Sequence, residues 1–156
     1  MNSELISRNL LPLRPLTSMK NISSNEKIPS LPILIQLCLY PDENESLNVI
    51  KSLFSSNYSY SPNVSDQFHC NALMYTLRYQ RYRLFHFLIE ETSIHLNLRA
   101  TDKQGNTILH YAVVYDGFHF EILEKLIEKC NQYKIDIDQR NQFGFTPLLL
   151  GMILNH

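Results

Sequence analysis

Six histidines and three cysteines are the side chains of this 156-residue chain best suited to ligating a metal or attacking a substrate. The closest pair is His69 with Cys70. A zinc site takes three or four ligands, and neither a histidine four residues away nor a second thiol at ligand spacing accompanies that pair, so no metal is expected. Cys38, Cys70 and Cys130 are odd in number, far apart and outside any CxxC spacing, which suits reduced, buried thiols rather than disulfides. Acid–base chemistry needs carboxylates held in a cleft. Glu90 with Glu91 and Asp136 with Asp138 instead fall at a helix end and a polar strand edge, where they read as solvated surface. His86, His95 and His119 have no evident partner. There is no Gly-rich phosphate loop, no Gly-x-Ser-x-Gly elbow and no kinase signature. The chain is therefore read as a non-enzyme with no cofactor and no small-molecule substrate.

One stretch mixes cations with aromatics, Arg78-Tyr-Gln-Arg81-Tyr82-Arg83, a composition that can stack bases and neutralise phosphate. The same residues can cover a turn between two helices, with tyrosine stems packed and arginine heads in water, or grip an acidic peptide. A net charge of −1 and a pI near 6.6 provide no general pull toward nucleic acid or anionic lipid.

These side chains must be placed by a fold, and the length fits one domain. With 44% hydrophobic and 19% charged residues the composition is globular. The N-terminus carries Glu4, and its apolar run is broken by Pro12, Arg14 and Pro15, so it is no secretory signal. No apolar run reaches the about 20 residues of a membrane span. An intracellular protein, cytoplasmic or nuclear, is expected. The Asn-x-Ser matches at Asn21, Asn44, Asn57 and Asn63 are then chance. Residues 1–29 lack apolar periodicity and read as a disordered tail; within it Pro12-Leu13-Arg14-Pro15 has the form of a proline-groove ligand.

Beyond the tail the chain repeats. Two adjacent apolar residues are followed four positions later by two more in Val49-Ile50 with Leu53-Phe54, Leu84-Phe85 with Leu88-Ile89, and Ile122-Leu123 with Leu126-Ile127. That spacing makes one helical stripe. The copies lie 35 and 38 residues apart, the range of helix-pair repeats. A second marker reads Asp66-Gln-Phe-His-Cys-Asn71-Ala-Leu73-Met, then Asp102-Lys-Gln-Gly105-Asn-Thr107-Ile-Leu109-His110, then Asn141-Gln-Phe-Gly144-Phe-Thr146-Pro147-Leu148-Leu149. Thr107 and Thr146 can cap helix N-termini, and Pro147 fits a first turn. Gly105 and Gly144 permit positive φ in the turn before, whose Asp or Asn can bond the turn's own backbone. Small residues at Thr76, Ala112 and Gly151 let neighbouring first helices approach, while Leu73, Leu109 and Leu148 fill the shared core. Runs Ile94, Leu96, Leu98 and Ile135, Ile137 alternate as short hairpin arms would.

From about Leu31 onward the sequence resembles the ankyrin repeat, whose signature is an acidic or amide residue, two variable residues, Gly, one more, and Thr-Pro-Leu-His. The copy at Asp102 to His110 departs only at Ile108. A further polar marker falls at Asn63, Arg99 and Asp138, with Arg99 in place of the usual Asn. The resemblance implies an all-α solenoid of helix pairs with short β-hairpin loops: a divergent N-terminal cap over 31–65, repeats over 66–101 and 102–140, and an incomplete one over 141–156. It also implies that His110 joins neighbouring hairpins. Spacings of 36 and 39 residues between the Thr positions, against about 33 in the family, predict enlarged loops near Thr92 and Asn131 to Lys134. The apolar run Pro147 to Leu154 has no second helix to cover it, which suggests a truncated array or a partner at that end.

Such arrays bind partners through hairpin tips and the exposed face of each first helix. Here those positions are Gln67, Phe68, Lys103, Gln104, Asn106, Gln142, Phe143 and Phe145 at the tips, and Arg78, Tyr79, Val114 and Tyr115 on the helices. Aromatic residues and Arg dominate binding energetics. The expected function is a protein-interaction scaffold whose partner is acidic and apolar, with a nucleic-acid-associated regulator using Arg78 to Arg83 as the alternative.

Overall fold

The computed structural model describes residues 31–56, 61–91, 95–115 and 120–154. The tail expected over 1–29, its proline pair and the loop near Thr92 lie outside them. Seven helices occur among the described residues: α1 (Ile33–Leu39), α2 (Glu43–Ser55), α3 (Ala72–Arg78), α4 (Tyr82–Glu90), α5 (Ile108–Tyr115), α6 (Phe120–Gln132) and α7 (Pro147–Leu154). They pair as α1/α2, α3/α4 and α5/α6, and the first helices stack in the order α1, α3, α5, α7.

The apolar stripes drive the pairing. Leu84, Phe85, Leu88 and Ile89 of α4 are all buried, as are Ile122 and Leu126 of α6 and Ile50 of α2. Val49 departs from the stripe and is exposed. In the first helices, small residues set the approach: a Cβ on Gly151 would lie 3.3 Å from Val113 Cβ, so α7 sits close against α5 because residue 151 has no side chain.

Helix ends are closed by identifiable groups. Asp42 Oδ1 accepts from the Asn44 and Glu45 amides and starts α2. Helices α3 and α6 each end in a left-handed residue, Gln80 (φ 54) and Lys134 (φ 52). Arg81 N–H then donates to Thr76 O at 2.7 Å, and Ile135 N–H to Cys130 O at 2.8 Å, the six-to-one bond of a Schellman cap. The residues expected to enlarge a loop at 131–134 thus extend α6, which is 13 residues long against 9 in α4, and form its cap.

A turn precedes each of α3, α5 and α7, and one device builds all three. Asp66 Oδ1 accepts from the amides of Phe68 and Cys70, Asp102 Oδ1 from Gln104 and Asn106, and Asn141 Oδ1 from Phe143 and Phe145. Each turn also needs a left-handed residue: Gly105 (φ 79), Gly144 (φ 81) and, in the first copy, His69 (φ 63). A Cβ is disfavoured there, so His69→Gly is expected to stabilise the protein by up to about 1 kcal/mol, read as a raised denaturation midpoint. The hairpin arms do not form strands among the described residues, where the Ser65–Asn71 bridge is the only β pairing. Successive turns are joined by single backbone bonds, Lys103 N–H to Phe68 O and Gln142 N–H to Gln104 O, too few for a ladder.

Repeats are also clamped through their helix ends. The Arg81 guanidinium donates to the carbonyls of Cys38, in the last turn of α1, and of Tyr40 and Pro41 just past it, while Glu43 Oε1 accepts from the amides of Arg83 and Leu84 at the start of α4. Arg99 closes α6 in the same way, donating to Tyr133 O and Lys134 O. Cations thus sit at helix C-termini and a carboxylate at an N-terminus, each in its favourable place. One buried polar atom in this region has no partner among the described residues: Ser46 Oγ, in a residue with no exposed surface. Removing it spares its desolvation, so Ser46→Ala should raise stability by about 1 kcal/mol in urea unfolding.

Candidate functional site

The turns and first helices form one continuous side of the stack, and its buried half is a polar network. Asp102 Oδ2 accepts from Tyr111 Oη at 3.0 Å and from Asn106 Nδ2 at 2.9 Å. Asp66 Oδ2 accepts from Tyr75 Oη at 2.9 Å in the same relation. The third copy changes both partners together. Asn141 replaces the carboxylate, Leu150 stands nine residues on where Tyr75 and Tyr111 stand in the other copies, and Asn141 Nδ2 donates to Asn106 Oδ1 at 2.8 Å. Burial and the neighbouring carboxylate keep the Tyr75 and Tyr111 hydroxyls protonated.

His110 joins two repeats. Its Nδ1 accepts from the Thr107 amide at 3.1 Å and meets Thr107 Oγ1 at 2.9 Å, so Nε2 carries the proton and donates to Phe145 O at 2.9 Å. In α7 the equivalent start is capped by Thr146 Oγ1, which accepts from the Leu149 amide.

The expected contact positions divide on this frame. Gln67, Lys103, Gln142 and Phe143 are exposed at the turns, and Phe68, Gln104 and Phe145 are half-buried there. Asn106 corrects the expectation of an exposed tip residue. It has no exposed surface and is fixed between Asp102 and Asn141, because the turn bends its side chain into the seam between repeats. Arg78, Tyr79, Val114 and Tyr115 are half-buried along the first helices. The structure brings several of them together: the Arg78 guanidinium lies 5.7 Å from the Tyr79 ring centroid, which stacks on Tyr75 at 5.9 Å, and Tyr115 packs on Tyr111 at 5.8 Å. Burial pushes the Tyr115 hydroxyl up to about 12, against an opposing pull from Arg78. Leu148, expected in the shared core, is 68% exposed instead, since no helix among the described residues lies over it.

The cationic stretch is not one patch. Arg81 caps α1, and Arg83 is bonded to Asn44. Sequence reasoning missed these capping roles and that of Arg99, whose carbonyl partners lie 34 to 43 residues away. It also weighed His69 only as a metal ligand, which it set aside, and did not see that alignment with Gly105 and Gly144 marks it as the turn residue. Among the described residues no group of three or more His, Cys, Asp and Glu could hold a metal ion. Burial raises the Cys38 and Cys70 thiols to about 12 and also raises Cys130, which leaves no reactive thiolate at neutral pH. No helix among the described residues is long and apolar enough to cross a membrane.

A family model described as ankyrin repeats (3 copies) matches residues 35–141, more than half of the chain. The chain belongs to the ankyrin-repeat family. A comparison with curated proteins found no match. Within an ankyrin array, the Asx turns are the hairpin fingers, α1, α3, α5 and α7 are the inner helices, and α2, α4 and α6 are the outer ones. Ankyrin repeats are generally protein–protein interaction modules, and their binding side is the one carrying the fingers and inner helices.

Proposed function

We propose that this protein is an intracellular adaptor that holds a partner protein against its fingers and inner helices, and that the partner surface is apolar with acidic groups. The observation that carries this reading is the distribution of charge. Arg78 is the one charged residue in α1, α3, α5 and α7, whereas α2, α4 and α6 carry Glu43, Glu45, Glu90, Glu121, Glu124 and Glu128 against Lys51, Arg83, Lys125 and Lys129, a net acidic set. On the fingers the carboxylates of Asp66 and Asp102 are buried and hydrogen-bonded, while Lys103 is exposed. The binding side therefore offers tyrosine and phenylalanine surface with cations at Arg78 and Lys103. Such a surface complements carboxylates set among apolar side chains and repels basic partners. Buried, unpaired Cys38, Cys70 and Cys130 suit a reducing compartment.

The test is selection of displayed random peptides on the immobilised protein. Peptides rich in Asp or Glu with aromatic neighbours are expected. The Tyr79→Ala, Tyr115→Ala double variant should bind them at least about tenfold more weakly, the loss of roughly 1.4 kcal/mol, with its helical circular dichroism unchanged. Undiminished binding by a folded double variant would remove this face from the function.

A further inference from the structure

The outer helices carry a side-chain cluster that the adaptor reading does not use. Lys125 of α6 reaches across to α4, where its ammonium donates to His86 Nδ1 at 3.1 Å and pairs with Glu90. An ammonium has no acceptor, so Nδ1 carries no proton in this arrangement and the imidazole is neutral. Lys125 also lies 3.9 Å from Glu121 one turn back in α6, and His86 Nδ1 lies 3.5 Å from Glu90 Oε1 one turn on in α4. The hydrogen bond from Lys125 holds the Glu90 carboxyl below the usual carboxylate range, which keeps it charged as the pH falls. The junction between α2 and α4 holds different chemistry at the same register. By the 35- and 38-residue offsets of the helical stripes, Lys51 stands where His86 does and Phe87 where Lys125 does. There the Lys51 ammonium lies 5.8 Å from the Phe87 ring centroid, a cation–π contact with no group that titrates near neutrality.

We propose that His86, Glu90, Lys125 and Glu121 form a proton-operated strut that fixes the spacing of α4 and α6 at neutral pH and releases it on acidification. Once protonated, Nδ1 is a donor and cannot accept from Lys125, and two like charges face each other where the bond was. Each helix then has a partner of its own at i, i+4: the imidazolium with Glu90 in α4, and Lys125 with Glu121 in α6. One link between helices is thereby exchanged for two links within them. The neighbouring charges are engaged elsewhere or face solvent. In α6, Glu124 and Glu128 are exposed; α2 turns Glu43 to the Arg83 and Leu84 amides, Asn44 to the Arg83 guanidinium and Lys51 to the Phe87 ring; and α3 carries only Arg78. The packing sets the motion. Helices α3 and α5 are in close contact and α2 packs on α4, whereas the backbones of α4 and α6 stand farther apart. Losing the strut therefore turns α5/α6 against α3/α4 about the inner helices. Exposed ion pairs are worth little in stability, so the effect is one of geometry. On the adaptor reading, on which this consequence rests, the turn re-spaces Tyr79 and Tyr115 and releases the partner.

Pulsed electron-spin-resonance distances between nitroxides on Asn48→Cys in α2 and Glu128→Cys in α6 of the full chain test this. Both positions are exposed, and Cys38, Cys70 and Cys130 are buried away from the label. From pH 7.5 to pH 5.5, the interval in which histidine side chains change charge, the mean distance should lengthen by about 1–2 Å, the scale of helix shifts at an interface, and its distribution should broaden. His86→Gln, whose side-chain oxygen accepts from Lys125 but takes up no proton, should keep the neutral-pH distance at both values. Lys125→Met should give the acid distance at both. A wild-type distance that does not move, a shift that survives in His86→Gln, or a Lys125→Met distance equal to wild type at pH 7.5 would each overturn the strut. Peptides selected at pH 7.5 should be released at pH 5.5 by the wild type and retained by His86→Gln. Failure to select any peptide counts against the adaptor reading alone, because the distances are measured without a partner.

Discussion

Asp102→Ala should lower stability by on the order of 4 kcal/mol, because it leaves four donors without their acceptor at about 1 kcal/mol each. The Gln104 and Asn106 amides, Asn106 Nδ2 and the Tyr111 hydroxyl all converge on this carboxylate, and Asp102 and Asn106 are 3% and 0% exposed. Water cannot easily replace the lost bonds. For a chain of this length the expected fall in Tm is roughly 10 °C. The third finger supplies a sharper version of the experiment. Asn141 keeps the Oδ1 that organises the finger but has an amide where Asp102 has Oδ2, and the tyrosine is replaced there by Leu150. Asp102→Asn should therefore cost less than Asp102→Ala, and less again when combined with Tyr111→Phe. Thermal melts of the four proteins in that double-mutant cycle should give a non-additive loss. Strict additivity would mean that Cys70, whose sulfur lies 3.1 Å from the Tyr111 oxygen, satisfies the hydroxyl unaided.

The fingers explain which features can be read from a sequence. A backbone turn is local: Asp or Asn, then Gly three residues on, then Thr two further on fixes the Asx bonds, the positive φ and the helix start within six residues, and all three were legible at Asp102 and Asn141. The helical stripes at Leu84 to Ile89 and Ile122 to Ile127 were legible because burial has a period. The inner-helix glycine at 151 was legible for the same reason, lying five residues after Thr146. What escaped depends on distant partners. Asn106 is polar and sits beside a glycine, so its neighbours mark it as exposed; only Asn141, 35 residues away, makes it a buried bridge. Arg81 and Arg83 look like a basic surface until the carbonyls past α1 and Asn44 are brought to them. The same limit applied to the side proposed to bind a partner. Its outline followed from the repeat register, but the half-burial of Tyr79 and Tyr115 follows from ring stacking on Tyr75 and Tyr111, which a one-dimensional pattern does not contain. One long-range signal was available in the letters: Asp66 with Tyr75 and Asp102 with Tyr111 are both nine apart, and Asn141 with Leu150 breaks the pair on both sides at once.

Acidification should loosen the junction between the second and third fingers through His110. Burial lowers its pKa, against smaller opposing effects from the Phe145 carbonyl and Asp102. The folded chain therefore resists a proton that the unfolded chain accepts near the ordinary histidine value of about 6.5. Because the unfolded state binds more protons in that window, stability is fully present above about pH 6.5 and falls as the pH drops toward the depressed folded value, with a limiting slope of about 1.4 kcal/mol per pH unit. The geometry gives the cause. A proton on Nδ1 would turn the acceptor of the Thr107 amide into a donor, leaving two N–H groups opposed in a site with no exposed surface. His110→Met, which places the residue found at the equivalent Met74, removes the bond to Phe145 O and the titrating group together. It should be less stable than wild type at pH 7.5 by about 2 kcal/mol and should close much of that gap by pH 5.5. Urea unfolding of both proteins across this range measures the difference directly, and parallel stability profiles would show that His110 takes up no proton on unfolding. The loss on acidification should concentrate in α7, whose docking on α5 runs beside the histidine bridge, so amide exchange should speed first in Pro147–Leu154 while α2 and α4 keep their protection.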